Sequence, residues 1–265
     1  MSGRETKPIT PDEAGRLKSE TKVIDLYFTP CEVSEERLKA YKTVVVVDVL
    51  RVGTTIPIAL SNGAREVFPV TSIAVATSLA AQLGRDDILL CGEREGRLID
   101  GFHIGNSPSD YTRERVRGRT LIFATTNGTP ALVKAAGAPK VYLCGFINLP
   151  AVLGMMLNVD NQFPLAVLCA GKFNRFALED AVCGGMLTKQ IQERTDGQYE
   201  FNDGARSALM IAREFGNDIY TLLKNCDHGR YLIQIGMEDD LPRCAAQGVL
   251  PVAPVMKDGK LVKAE

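Results

Sequence analysis

An acid and a base stand three positions apart at the end of a strongly apolar segment. Asp48 and Arg51 follow the run Thr43–Val47 in the sequence TVVVVDVLRVGTT, and Thr54 and Thr55 come directly after them. A β-branched run without alternation is typical of a strand that is buried on both faces. In an open α/β sheet, ligands bind beyond the carboxyl ends of the strands, where side chains and helix N-terminal amides converge. Asp48 could therefore hold a cation or act as a nucleophile, while Arg51 and the two threonines could bind an anion.

Other predicted strand ends also carry small or polar residues. The predicted strand Leu121–Ala124 runs into TTNGT, a turn whose backbone N–H groups can form a nest for phosphate or sulfonate oxygens. The glycine-rich loop 92–112 is expected to fold over the strand ends and to bring Asn106 and Ser107 to the ligand. A further predicted strand runs into the tripeptide Cys-Ala-Gly, and an arginine follows in the same loop. The predicted substrate-binding set beyond the first motif is Asn106, Ser107, Thr125, Thr126, Asn127, Gly128, Thr129, Cys169, Gly171 and Arg175.

Four acids near these strand ends predict a site for a hard cation. The expected metal ligands are Asp48, Glu93, Glu179 and Asp180. Mg²⁺ is the expected ion, because it binds a few carboxylates together with water and substrate oxygens. The chain has two histidines, which excludes a multi-histidine metal centre. Asp48, Arg51 and Asp180 are the expected catalytic residues, with the pair at 179–180 completing the metal site or supplying a general base.

Each of these features also has a plainer explanation or a rival chemistry. Asp48 could cap the following helix, and Glu179-Asp180 could be a charged helix start that the helix dipole favours. Cys169 and Arg175 have the C-x5-R spacing of cysteine phosphatases, in which a thiolate attacks phosphorus, although a buried structural cysteine fits this loop better. A non-catalytic protein that binds small anions could use the same groups without a metal. A chelator and a thiol-alkylating reagent would separate the three functions.

Composition narrows the class of protein. The 265 residues suffice for one α/β domain over residues 1–265, with a polar N-terminal extension at 1–20. A formal net charge of −1 gives no reason to expect nucleic acid or an anionic membrane as a partner. Seven cysteines without a CxxC pair argue against a disulfide framework or a structural zinc site, and no apolar stretch approaches the ~20 residues of a membrane span. We therefore expect a cytoplasmic protein with a small anionic substrate, for which a homodimer is a candidate assembly.

Alternating strand and helix patterns predict the framework that must position these groups. The predicted strands are 23–28, 43–47, 66–70, 88–91, 120–124, 140–144 and 165–169, and the predicted helices are 10–20, 34–41, 56–60, 72–83, 130–136, 150–157, 179–192 and 205–215. Pro57 is expected to confine its helix to the first turn. A short helix is expected at 238–246 and a hairpin around 257–260. This βαβα rhythm predicts an α/β fold with a largely parallel sheet and helices on both faces.

The ordered motifs together resemble the 2-phosphosulfolactate phosphatase family, known as ComB. The matching stretches are VVVVDVLRVGTT, NGAREVFPV, GEREG, GFHIGNSPSDYT, TLIFATTNGTPAL and CAGKFNRFALEDAVCGG, with HGRYLIQIGMEDDLPRCA extending the similarity toward the C-terminus. The resemblance implies a Mg²⁺-dependent phosphatase with an α/β fold of its own. The implied reaction removes phosphate from (R)-2-phospho-3-sulfolactate and leaves 3-sulfolactate, a step in coenzyme M biosynthesis.

Overall fold

Eleven strands form one sheet in the computed structural model, which describes residues 22–158, 162–196 and 198–264. The strands are β1 Lys22–Tyr27, β2 Thr43–Val47, β3 Glu66–Val70, β4 Ile88–Arg94, β5 Arg97–Leu98, β6 Thr120–Ala124, β7 Lys140–Cys144, β8 Leu165–Cys169, β9 Tyr199–Phe201, β10 Pro254–Lys257 and β11 Lys260–Lys263. Their order across the sheet is β5-β4-β6-β3-β11-β10-β7-β2-β8-β1-β9. The helix predicted at 10–20 lies outside the described residues.

The sheet consists of two parallel halves joined by an antiparallel hairpin. Strands β4, β6 and β3 run parallel in one half, and β7, β2, β8, β1 and β9 run parallel in the other. The β10–β11 hairpin lies between the halves, with Val255 opposite Tyr142 of β7 and Leu261 opposite Val67 of β3. The predicted largely parallel sheet and the predicted C-terminal hairpin are both confirmed. The position of the hairpin inside the sheet was not predicted.

Helices cover both faces of this sheet, as predicted. They are α1 Glu35–Lys39, α2 Val52–Ser61, α3 Ile73–Leu83, α4 Arg113–Val116, α5 Gly128–Ala135, α6 Leu149–Leu157, α7 Leu178–Arg194, α8 Asp203–Phe215, α9 Ile219–Asn225, α10 Asp227–Gln234 and α11 Leu241–Ala245. Alternate residues of β2 enter two different apolar clusters: Val45 and Val47 pack with α6 and α7, whereas Val44 and Val46 pack with α2 and α5. Within the described ranges, no helix is both long enough and apolar enough to cross a membrane.

The helix after β2 is longer than predicted. It runs from Val52 to Ser61 with Pro57 in its interior, although a proline there removes a backbone hydrogen bond. Every residue from Val52 to Leu60 is buried, so tertiary packing outweighs the lost bond. Strand β9 and the helices α9 and α10 were not predicted. With three and seven residues, β9 and α9 are too short for a clear periodic pattern. The loop 92–112 also contains regular structure, since β4 continues to Arg94 and pairs with β5.

The hairpin that joins the two half-sheets can be tested through its buried side chain. Leu261 is fully buried and lies at the single register position that links β11 to β3. Leu261→Ala is expected to lower the free energy of unfolding by about 2–5 kcal/mol, because it leaves a cavity at the seam. Denaturant unfolding measures the change, with the exposed Lys263→Ala of the same strand as a matched control. A loss no larger than that of the control would show that the hairpin does not hold the halves together.

Candidate active site

The carboxyl ends of strands from both half-sheets open into one cleft. It is lined by groups from the turns after β2, β4, β6 and β8, from the loop 92–112 and from α10. The polar and charged lining residues are Asp48, Arg51, Glu93, Glu95, Asn106, Thr125, Thr126, Asn127, Lys172, His228 and Tyr231. Convergence of this kind at strand ends is the usual setting of a ligand site in an α/β fold.

Asp48 is the most confined acid of the cleft. Only 3% of its surface is exposed, and its Oδ1 accepts a hydrogen bond of 3.2 Å from the backbone N–H of Val52. Its Oδ2 lies beside Gly128, the first residue of α5, so closely that a Cβ at that glycine would collide with it. The positive end of the α5 dipole therefore faces the carboxylate. One oxygen of Asp48 therefore caps α2, which was the alternative role considered for this residue, and the other oxygen is left for a ligand.

Burial sets the protonation of this acid. It raises the pKa of Asp48 to about 7, and the nearby charge of Glu93 acts in the same direction. The positive charge of His228 and the bond from the Val52 N–H oppose the increase. A buried carboxyl group in this state is stabilised in its ionised form by any cation that binds next to it.

Arg51 lines the cleft, but its guanidinium group is already bound. Its Nη1 donates to Asp240 at 2.6 Å and its Nη2 donates to the carbonyl of Gly96 at 2.8 Å. Both charged side chains are 3% exposed. The helix after β2 begins at Val52, so Asp48 and Arg51 both precede it. Arg51 fixes the turn after β4 and the segment before α11, and is not a free clamp for an anion.

Three hydroxyl groups predicted to bind substrate are instead used within the protein. Thr54 donates to the carbonyl five residues before it, and Thr55 donates to the carbonyl of Asn106 at 3.0 Å. Ser107 donates to Asp240 at 2.5 Å and lines a separate hollow beyond the cleft. The two threonines are fully buried in α2, because the turn at its start points their side chains into the core. All three residues position their neighbours and do not line the cleft.

Asn106 and the turn after β6 lie at the cleft, as the sequence predicted. Asn106 is 5% exposed, and its Oδ1 has no hydrogen-bond partner among the described residues. Thr125, Thr126 and Asn127 line the cleft, whereas Thr129 stays behind it and bonds the hydroxyl of Thr125 at 3.3 Å. A buried acceptor without a partner is costly, so a ligand, a water molecule or a cation is expected to complete Asn106.

The four predicted metal ligands do not form one cluster. In the part of the chain that the structure describes, no group of three or more His, Cys, Asp or Glu side chains is placed to hold a metal ion. Glu93 lines the cleft, and its carboxylate accepts backbone N–H groups from Gly96 at 2.7 Å and from Thr126 at 2.8 Å. Asp48 and Glu93 are thus the two acids of the predicted set that reach the cleft.

Glu179 and Asp180 begin α7 and support the cleft from behind. Asp180 accepts the N–H groups of Val49 at 2.8 Å and Gly171 at 3.0 Å, so both of its oxygens are used. Burial and the charge of Glu179 raise the pKa of Asp180 well above its ordinary value. Burial acts in the same direction on Glu179, but the hydrogen bond from His228, 3.2 Å long, and its charge lower the pKa overall. Asp180 is a positioning residue, which corrects its predicted catalytic and metal-binding roles.

The C-x5-R loop is not a phosphate cradle. Cys169 is fully buried, and burial together with the charge of Asp180 raises the pKa of its thiol, which is the opposite of what a nucleophile requires. Arg175 is exposed on a tight turn, where its backbone bonds that of Lys172 in both directions. Its side chain lines a neighbouring groove and not the cleft. These placements contradict both the cysteine-phosphatase alternative and the predicted contacts of the loop with substrate.

Some residues that line the cleft were missed: two of them lie on α10, which does not directly follow a strand, and one lies in a loop whose other residues were predicted. His228 and Tyr231 are three positions apart on α10 and share one of its faces. Lys172 lies in the loop after β8, and Asp240, which binds Arg51 but does not line the cleft, lies in the acidic run before α11. In the sequence, the HGRYL segment and the EDD run that follows it could have indicated His228, Tyr231 and Asp240. Neither segment lies at the end of a predicted strand.

The chain matches a known family over most of its length. A family model described as 2-phosphosulpholactate phosphatase matches residues 27–259. A relative from Symbiobacterium thermophilum is 41% identical over 226 residues, which are 85% of this chain and 96% of the relative. A relative from Caldanaerobacter subterraneus is 34% identical, and the match covers 89% of this chain and 96% of the relative. A relative from Thermotoga maritima is 32% identical, and the match covers 92% of this chain and 99% of the relative. All three are named probable 2-phosphosulfolactate phosphatase.

The raised pKa of Asp48 predicts a pH-dependent stability. Because the folded state binds this proton more tightly than the unfolded state, ionisation costs stability as the pH rises from about 4 to about 7. In EDTA at pH 8, Asp48→Asn is expected to be more stable than the wild type by on the order of 1–4 kcal/mol, and this gain should shrink at pH 5. Thermal unfolding at the two pH values measures it, with the exposed Asp86→Asn as a matched control. A variant less stable than the wild type at pH 8 would contradict the electrostatic account.

Proposed function

Because the chain belongs to the 2-phosphosulfolactate phosphatase family, we propose that it hydrolyses the phosphate ester of a small, multiply anionic acid at the cleft beside Asp48. The substrate given by the names of its relatives is 2-phosphosulfolactate, whose hydrolysis yields 3-sulfolactate and inorganic phosphate. The observation that carries the proposal is the free Oδ2 of Asp48, buried against the N-terminus of α5. The reaction is that of a phosphoric monoester hydrolase, and its proposed compartment is the cytosol.

The oxygen donors of the cleft fit a single Mg²⁺ ion. This ion commonly binds one or two carboxylates and fills its remaining positions with water and substrate oxygens, so it needs no cage of three acids. Asp48 and the unpartnered Oδ1 of Asn106 would hold it, with Glu93 beside them. When bound, the ion would supply positive charge to the phosphoryl oxygens as the ester bond breaks.

The other groups of the cleft would bind the ester and handle protons. The backbone N–H groups at the N-terminus of α5, where the helix dipole is positive, would face the phosphoryl group. Glu179 engages Nδ1 of His228, which leaves Nε2 to hold a proton at the ester oxygen. The free oxygen of Asp48 can orient an attacking water molecule or attack phosphorus itself, and the chain lacks the second Asp of a DxD motif at this position.

Phosphate release tests the proposed function directly. The purified protein with (R)-2-phospho-3-sulfolactate and Mg²⁺ is expected to release inorganic phosphate, to lose this activity in EDTA and to regain it when Mg²⁺ is added. Asp48→Asn keeps the shape of the side chain but removes its charge, and is expected to lower kcat by a factor on the order of 10² or more.

Cys169→Ala is the matched control, because it changes a buried residue at a strand end that does not line the cleft. Its kcat is expected to stay within about threefold of the wild type. Full activity in EDTA would contradict the metal proposal. Binding of 3-sulfolactate without any phosphate release would favour a non-catalytic anion-binding protein. Loss of activity in a folded Cys169→Ala variant would restore the cysteine mechanism.

A further inference from the structure

Arg51 and Lys172 both line the cleft, and of these two only Arg51 forms an ion pair in the part of the chain that the structure describes. Arg51 is paired with Asp240 at 2.6 Å. Across residues 22–158, 162–196 and 198–264, the ammonium group of Lys172 makes neither an ion pair nor a hydrogen bond. The ammonium group lies over the ring of Tyr231, whose centroid is 4.2 Å from Nζ. Lys172 is therefore the cation of this cleft that is available to an anionic ligand.

The position of Lys172 is built by three segments of the chain. Its backbone bonds that of Arg175 at 2.9 and 3.0 Å, which fixes the loop after β8. The hydroxyl of Tyr231 donates to the carbonyl of Glu95 at 3.0 Å, so the ring spans from α10 to the turn after β4. Contact with a ring face orients an ammonium group without neutralising it. Lys172 is half-buried; burial lowers the pKa of its ammonium group, and the charges of Glu179 and Asp227 act in the opposite direction.

Lys172 also stands where two hollows meet. It lines the cleft that contains Asp48 and the larger groove that contains Arg175 and Phe176. A ligand that begins at Asp48 and is too long for the cleft would pass this side chain. A second anionic group of such a ligand would lie near the carboxylates of Asp48 and Glu93, and a cation at Lys172 would reduce the repulsion between them.

We propose that Lys172, resting on the ring of Tyr231, determines specificity by binding the sulfonate group of the substrate. The inference rests on the proposed function and assigns one part of the substrate to one residue. A sulfonate is a compact anion with three equivalent oxygens, each of which can accept a hydrogen bond from the rotatable donors of a lysine ammonium group. The phosphoryl group remains at the N-terminus of α5, beside Asp48.

Two substrates that differ only in the sulfonate test this assignment. The probes are 2-phospho-3-sulfolactate and 2-phospholactate, in which a hydrogen replaces the sulfonate. Lys172→Gln is expected to lower kcat/KM for the first by on the order of tenfold or more, mainly through KM, and for the second by less than about threefold. Equal losses on both substrates would overturn the inference, because they would place Lys172 at the phosphoryl or carboxylate group.

Two tyrosine variants test the platform. Tyr231→Leu removes the ring and is expected to reproduce part of the selective loss, whereas Tyr231→Phe keeps the ring and should preserve the ratio of the two kcat/KM values. Lys189→Gln, on the exposed side of α7, controls for the loss of one positive charge. If the wild type releases phosphate from neither substrate, the proposed function fails and the inference fails with it. If the wild type is active but the Lys172→Gln losses are equal, the inference fails alone.

Discussion

The site depends on the close approach of two backbone segments to one carboxylate. Asp48 lies between the end of β2 and the start of α5. Only glycine residues allow these two backbone segments to come so close to its carboxylate. A Cβ at Gly128 would strike Oδ2 of Asp48, and a Cβ at Gly53 would strike the carbonyl groups of Asp48 and Cys144. The two glycines thus allow the helix dipole and the cap of α2 to reach the same acid. The turn after β2 and the turn after β6, which lie in different halves of the sheet, meet at this point.

That arrangement leaves negative charge without full compensation. Asp48 and Glu93 line the cleft, and Asp180 stands behind it, while the guanidinium group of Arg51 is used by Asp240. Burial of such groups is unfavourable for the isolated protein, and a bound cation or a protonated His228 reduces the cost. A site that is destabilised until its ligands bind is a recurrent trade-off between stability and activity.

Much of the framework could be predicted from local sequence. The strands β2, β3, β6, β7 and β8 begin and end where their β-branched or apolar runs do, and these runs placed Asp48 and Thr125 at the correct edge of the sheet. The direction of individual side chains could not be predicted in the same way. Thr55 points into the core because of the geometry of the turn before α2, which a sequence pattern does not contain.

Long-range partners were also beyond the reach of the sequence pattern. Arg51 and Asp240 are 189 positions apart, and the contact between Lys172 and Tyr231 joins a strand-end loop to a helix that follows no strand. Insertion of the β10–β11 hairpin between the half-sheets is a further case, since periodicity predicts a hairpin but not its neighbours. Local patterns found Asp48, Glu93 and Arg51, whereas Lys172 and the partners of both cations emerged only from the fold.

The central claim is that the phosphate ester binds beside Asp48 at the start of α5. A crystal structure of the protein with Mg²⁺, inorganic phosphate and 3-sulfolactate tests it most directly. The account predicts a tetrahedral anion next to Asp48 and Gly128, with the sulfonate at Lys172. An anion held by Arg175 in the neighbouring groove, with only solvent beside Asp48, would contradict it.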